Sequence, residues 1–347
     1  LGLGSTDSAL TANTHTLDFL MPGDCVEQIT TGRNHTGILT EKGLVYLFGS
    51  NARKQISLED NLFYSTPTRM VLQFEMAYGD AITKLVMGDS HNAVLTEFGE
   101  IIMWGHSADG QISSDSHYKF FTIDHSLYPD EAVKDVVLGA NHSAILTTHR
   151  LLMWGGNESG QLGFGHTNSL DTPTPIFFND SIKAIQLGSR VSMFETDDGS
   201  IYAAGATEEG LIIGETSNDI LAFTDVTSAY QPYGWNAFSS LRLSPFFDNS
   251  HAFMVSDEQI IGWGSNAFHQ LGDADQFASV HPIGVYQVEL VHQEIRAYQS
   301  SHPLWELTDD DDELLMWHHS PTMTQAIASW VMPADDVTIY AKHPGIE

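Results

Sequence analysis

The stretch GANHSAILTTHRLLMWGGNESGQLGFG, Gly139 to Gly165, decides the fold. Its histidines, tryptophan and six glycines suit a metal site, a nucleotide loop or one unit of a repeated scaffold. Recurrence separates these readings, because self-similarity at a fixed period marks a repeat architecture. The pattern returns in GRNHTGILTEKGLVYLFGSN from Gly32, GDSHNAVLTEFGEIIMWGHSADGQI from Gly88 and GSRVSMFETDDGSIYAAGATEEGLIIG from Gly188. Two looser copies, SPFFDNSHAFMVSDEQIIGWGSNAFHQLG from Ser244 and SHPLWELTDDDDELLMWHH from Ser301, follow. The leading residue stands sixteen before the aromatic position in Gly32 to Phe48, Gly88 to Trp104, Gly188 to Ala204 and Ser301 to Trp317. It stands fifteen before it from Gly139 to Trp154 and nineteen from Ser244 to Trp263, and the copies recur every 49 to 57 residues.

Each copy reads as strands. SAILTT and LLMWG are short runs of apolar and β-favouring residues around a polar tip, the signature of a hairpin. The tips are EKG, EFG, THR, DDG, DE and DDDDE. Another alternating run precedes each leading glycine, as in VEQITT, ITKLVM, VKDVVL and IKAIQL, and a fourth apolar run precedes that, as in PTRMVLQF, TPTPIFF and HPIGVYQVEL. Four strands in about fifty residues describe a β-propeller blade. The expected architecture is therefore all-β: one propeller of four-stranded blades over residues 1–347, with six full repeats over about 17–319 and partial repeat elements at 1–16 and 320–347.

Gly-x-x-His-Thr/Ser, an apolar hairpin and then Trp-Gly-x-Asn-x-x-Gly-Gln-Leu-Gly make a word that resembles the regulator-of-chromosome-condensation repeat, and the resemblance covers Leu1 to about His319. It implies seven blades, the closing one shared by the two chain ends; six is the alternative. LGLG at Leu1 to Gly4 matches LGFG at Leu162 to Gly165, so the visible sequence opens on the tail of a repeat, and TQAIASWVMPADDVTIYAK from Thr324 supplies one or two more strands.

The repeat also assigns roles to the residues that looked chemical. His35, His91, His142 and His251 share one position, but Val191 and Leu304 hold it in the other copies and cannot bind a metal. Polar core residues bonded within or between blades are expected, with no metal and no cofactor. Phe48, Trp104, Trp154, Trp263 and Trp317, with Ala204 as the gap, read as inter-blade packing. GQLGFG is followed by HTNSLDTPTP, where prolines and turn formers leave no helix to receive a phosphate. Sequons occur at Asn34, Asn141, Asn157 and Asn179, two of them inside the repeat's own Asn-His-Thr/Ser word. No Gly-x-Ser-x-Gly, no His-Glu-x-x-His and no cysteine with a local histidine appears, so no catalytic residue is assigned.

Composition narrows the partners. Against 14 Lys and Arg stand 45 Asp and Glu, a formal charge of -31, which repels nucleic acid and anionic membranes and attracts basic surfaces. Cys25, the single cysteine, excludes an internal disulfide and points to a reducing compartment, so a cytoplasmic location is expected. The opening LGLGSTDSALTANTHTLDF has no signal-peptide pattern, no run reaches membrane-span length, and no membrane insertion is expected.

Three functional readings follow. The first is a non-enzymatic interaction module or scaffold subunit, with contacts in loops that interrupt the repeat: Tyr233 and Trp235 within Tyr230 to Asn236, Phe246 and Phe247 within Phe246 to Ser250, and the acidic tip Asp309, Asp310, Asp311 and Asp312. The second, implied by the resemblance, is guanine-nucleotide exchange on a small GTPase. The third is inhibition of a secreted enzyme, implied by a bacterial branch of the fold and by the tail MPADDVTIYAK, which is similar to small β modules of bacterial surface proteins. Chromatin binding by the founding family member uses basic arms that this chain lacks at its visible N-terminus.

Overall fold

Residues that alternate between two sheet faces, punctuated by glycine at the tips, fold each repeat word into an antiparallel meander. The computed structural model describes residues 18–70, 80–112, 118–123, 126–178, 180–207, 210–213, 218–231, 241–245, 250–255, 259–266, 271, 278–287, 316–318 and 340–342. Blade 1 comprises β1 (Val26–Thr31), β2 (His35–Thr40), β3 (Val45–Ser50) and β4 (Phe63–Arg69). Blade 2 comprises β5 (Ile82–Met87), β6 (His91–Thr96), β7 (Ile101–Gly105) and β8 (Tyr118–Phe121). β9 (Val133–Leu138), β10 (His142–Thr147), β11 (Leu151–Gly155) and β12 (Leu170–Ile176) form blade 3, and β13 (Ile182–Leu187), β14 (Val191–Thr196), β15 (Ile201–Gly205) and β16 (Ile220–Asp225) form blade 4. After a single helical turn, α1 (Thr227–Tyr230), blade 5 adds β17 (Arg242–Leu243), β18 (His251–Val255), β19 (Gln259–Ser265) and β20 (Ala278–Gln287). Strands pair in chain order within every blade.

The first strands contact one another from blade to blade, β1 with β5, β5 with β9, β9 with β13 and β13 with β17, so they form the inner edge. The fourth strands are the outer edge, and there proline is tolerated: Pro67 lies in β4 and Pro173 and Pro175 in β12. That edge shifts one expectation, since the run PTRMVLQF gives a strand that begins earlier, at Phe63, and ends at Arg69.

Apolar side chains from facing blades merge into shared cores. Leu39, Val45 and Leu47 of blade 1 pack with Leu85, Val94, Ile102 and Trp104 of blade 2, and Ala93, Ile101 and Met103 continue with Val136, Ile145 and Trp154 of blade 3. A fully buried leucine or tryptophan contributes roughly 1.5–3 kcal/mol in such a core, so the blades hold one another rather than standing alone.

The described residues give five four-stranded blades, not the seven or six expected. The sixth copy contributes β21 (Met316–His318), paired with β22 (Tyr340–Lys342) in a two-stranded ladder. That copy has Ser301 and Leu304 where complete words carry glycine and histidine, the residues that make the inter-blade contacts described below. A closing blade shared by the chain ends concerns residues outside the described ones.

The leading glycine has a measurable reason. A Cβ on Gly139 would stand 2.4 Å from His142 Cε1 and 2.7 Å from the Gly188 carbonyl oxygen, whereas one on Gly188, beside Val191, meets nothing closer than 3.5 Å. Gly139→Ala is therefore expected to lower stability by about 1–3 kcal/mol through overpacking. Gly188→Ala should be neutral or slightly stabilising, as for a glycine whose backbone an alanine can adopt. Urea denaturation of the two variants side by side checks both.

Candidate functional site

The recurring polar residues converge between blades, near the inner edge. His35 Nε2 lies 2.6 Å from Asn92 Oδ1, His91 Nε2 3.1 Å from Ser143 Oγ and His142 Nε2 3.0 Å from Ser192 Oγ. In each case the partner is the residue that follows the histidine position of the next blade. That partner turns back: Asn92 Nδ2 donates to the Gln55 carbonyl at 2.7 Å, Ser143 Oγ to that of Gln111 at 2.8 Å and Ser192 Oγ to that of Gln161 at 2.6 Å. Because each serine hydroxyl gives its one proton to a carbonyl, the imidazole Nε2 must be the donor to it.

The rest of the word serves this relay. Each glutamine folds its side chain over its own turn, with Gln55, Gln111 and Gln161 Oε1 accepting from the N–H of Arg53, Asp109 and Ser159, which leaves the carbonyl facing the next blade. The asparagine braces the same loop: Asn51 Oδ1 accepts from Ile56 N, Asn157 Oδ1 from Leu162 N and Asn266 Oδ1 from Leu271 N. Trp104 Nε1 donates to Gln55 and Trp263 Nε1 to Leu211, both at 2.9 Å. Asn141 and Asn157 are buried, while Asn34 is exposed and Asn179 is outside the described residues.

Where one end of the relay is lost, so is the other. Val191 takes the histidine position of blade 4 and Ala252 the facing position of blade 5. Ser250 Oγ and Ser189 Oγ, 2.6 Å apart and buried, bond across that junction instead. The missing tryptophan at Ala204 is likewise offset: Phe194 stacks on Tyr202 at 5.1 Å and meets Phe178 and Phe223 edge-on at 4.7 and 4.8 Å. This second aromatic cluster was not read from the sequence.

Burial holds these imidazoles neutral. It lowers His91, with His142 adding to the effect, and His142 itself, each to about 3, and lowers His35 as well. Among the described residues, no three His, Cys, Asp or Glu side chains gather to hold a metal ion.

Tyr233, Trp235, Phe246, Phe247, Asp309, Asp310, Asp311 and Asp312, the contacts chosen from sequence, all lie outside the described residues. The structure draws attention to a different place, the end of the blades where the second and third strands turn. Phe98, Leu127 and Phe177 are exposed there. Beside them Tyr128 stacks on His149 at 4.5 Å, His149 Nε2 reaches Asp130 at 3.2 Å, and Arg150 pairs with the buried Glu131 through Nε to Oε1 at 2.9 Å and Nη2 to Oε2 at 2.8 Å. Burial works to raise the Glu131 carboxyl, but the Arg150 and Thr147 hydrogen bonds outweigh it and hold it low. Only the tip EFG, with phenylalanine where its equivalents carry Lys42, His149 and Asp198, signals this region in the sequence.

Comparison with known proteins follows the same pattern. Two family models described as the regulator of chromosome condensation (RCC1) repeat match residues 148–194 and 133–161. The ultraviolet-B receptor UVR8 of Arabidopsis thaliana is 24% identical over 272 residues, covering 76% of this chain and 59% of the receptor. The protein RCC2 homolog of Xenopus laevis is 26% identical over 291 residues, covering 74% of this chain and 53% of that protein. The chain thus spans little more than half the length of these relatives. The structure of Prp20p from Saccharomyces cerevisiae, described with its binding to Gsp1p and histones, superimposes with a TM-score of 0.62 at 20% identity, over 76% of this chain and 64% of Prp20p.

The relay makes two measurable predictions. His91→Val strands Ser143 and is expected to destabilise by about 1–3 kcal/mol, while His91→Val with Ser143→Ala, which recreates the natural Val191 and Ala252 pair, should lose less than the two single variants summed. Thermal or urea unfolding of the cycle tests this. An unfolded chain protonates histidine below about 6.5, whereas folded His91 and His142 stay neutral to about 3. Their contribution is full above pH 6.5 and declines as pH falls, by about 1.4 kcal/mol per pH unit for each. Urea midpoints at neutral and mildly acidic pH check it.

Proposed function

Starting from a chain that belongs to the regulator of chromosome condensation repeat family, we propose that it is a non-enzymatic protein-interaction module, a rigid scaffold subunit of a larger assembly. One observation carries this reading: the recurring histidines, serines, glutamines and asparagines are spent on holding blade to blade and loop to strand. What such a construction offers a partner is two broad ends made of loops, held in place by a stiff frame.

The charge of -31 favours a basic protein partner over nucleic acid. A cytoplasmic location agrees with a single cysteine and is part of the same proposal. Inhibition of a secreted enzyme would equally be a binding role, and it draws its support from the tail alone.

Exchange of guanine nucleotide on a small GTPase is the second reading, supported by the likeness to Prp20p and its described binding to Gsp1p. Affinity purification with this chain as bait should recover at least one protein in near-equimolar amount through salt washes. Recovery of none overturns the module reading. Release of labelled GDP from a panel of small GTPases is expected to stay at its spontaneous rate. An acceleration of about tenfold or more, about 1.4 kcal/mol in the barrier, replaces the first reading by the second.

A further inference from the structure

The turn end of blades 2 to 4 has three properties that together describe what it holds. First, it is apolar where a solvated end should not be: Phe98 is 60% exposed, Leu127 64% and Phe177 61%. They lie at one end of adjoining blades, and contacts of the residues next to them connect the three places. A Cβ on Gly99, next to Phe98, would lie 3.8 Å from Val133 at the start of blade 3. Leu127 precedes Tyr128, which stacks on His149, and His149 shares a cleft of about 220 Å³ with Phe178, the residue after Phe177.

Second, the surface is held firmly. Phe98 N donates to Asp80 Oδ1 at 3.1 Å, and Thr148 N donates to the Ala132 carbonyl at 2.9 Å, tying each tip to the residues that lead into the first strand of its own blade. The buried Arg150 and Glu131 pair fixes the tip of blade 3 from beneath. A preorganised surface loses little entropy on binding.

Third, its uncompensated charge is negative. His149 is engaged by Asp130, Arg150 by Glu131 and Lys183 by Glu195, while Lys134, whose Nζ donates to the neutral Ile182 carbonyl at 3.4 Å, keeps one positive charge against the carboxylates that follow. Asp180, which lines the cleft, has no cationic partner among the described residues, and Asp197 and Asp198 at the next tip are exposed. Burial first, then Asp225, Asp180 and Asp198, raise the Tyr202 phenol, so the three carboxylates act on one place. Ile176 and Phe178 line the cleft together with Thr148, His149, Arg150 and Asp180; with Arg150 already paired to Glu131, Asp180 is the carboxylate left for a side chain with an apolar stem and a cationic head.

We propose that this end of blades 2 to 4 is a docking surface for a basic protein segment bearing apolar side chains, anchored on Phe98, Leu127 and Phe177, with an arginine or lysine entering the cleft toward Asp180. The proposal rests on the interaction-module reading and assigns that module a face and a partner chemistry.

The test uses the full chain and a fluorescent synthetic peptide of arginine, leucine and glycine. Its two controls replace arginine by glutamate or leucine by serine. The arginine and leucine peptide should bind, more weakly as salt rises, and each control should bind at least about tenfold more weakly. Phe98→Ser with Phe177→Ser, and separately Asp180→Asn, should each weaken binding by about tenfold. Leu62→Ser with Phe63→Ser, exposed at the opposite end of blade 1, should leave it unchanged.

Equal binding of the glutamate peptide, or of the Phe98 and Phe177 variant, overturns the proposal. So does light scattering that shows the wild-type chain to be a dimer which that variant converts to monomer, since the occupant is then a second copy. Circular dichroism confirms that each variant is folded. If bait purification recovers the same partners with the Phe98 and Phe177 variant as with wild type, this face is excluded while the module reading stands.

Discussion

An imidazole lying across a glycine at the edge of a sheet, and bonding to the following blade, is the contact on which the architecture depends. The ring needs the space above Gly32, Gly88 and Gly139 and would collide with any Cβ there. It needs burial, which keeps it neutral and makes its Nε2–H a donor without a charge to desolvate. And it needs a partner one blade on, which the sequence provides immediately after that blade's own histidine. A single word can therefore specify both the inside of a blade and its junction with the next.

The outcome is nearest-neighbour stability, as expected when each repeat touches only those beside it. Each junction combines a shared apolar core with a buried polar chain, and the two contribute differently. The core supplies most of the free energy, because hydrophobic burial is large and tolerant of rearrangement. The relay supplies register: an imidazole one strand position out of place leaves two buried polar groups unsatisfied. The junction of blades 4 and 5 shows that the chain treats the relay as a unit, for Val191 and Ala252 remove both ends together and the Ser189 and Ser250 contact replaces them.

Legibility in the sequence follows this division. The meanders, the hairpin tips, the inter-blade role of Trp104, Trp154 and Trp263 and the hydrogen-bonded histidines were readable because each recurs at a fixed interval and recurrence reports structure. Blade number was less readable, since the late copies lose Gly and His and with them the junction signal. The aromatic cluster around Phe194 escaped because it occurs once, centred on a position where Ile38, Val94 and Ile145 stand in blades 1 to 3. For the same reason Leu127 and Phe177 were invisible, since a residue between blades breaks no period and stands in no motif, whereas Phe98 left one trace, its departure from the polar residues at the equivalent tips. Tyr233 and Trp235 were selected by the opposite signal, interruption of the repeat, which finds loops without indicating which of them presents apolar surface to solvent.

This separation bears on how such a scaffold acquires partners. A histidine that carries the relay is constrained by its own glycine and by the next blade's serine or asparagine, which is fixed in turn by the glutamine carbonyl of the histidine's own blade. Substitution there propagates to the adjoining blade. A tip residue such as Phe98 has its backbone N–H held by Asp80 while its side chain is exposed, so its identity is free to change without disturbing the fold. Recognition can therefore vary at the tips while the junctions stay constant, and the places to seek a partner's imprint are those where a tip departs from its equivalents. In this chain that departure is a phenylalanine, at the same end of the blades as the cleft that holds Asp180, on a frame stiff enough to keep both in position.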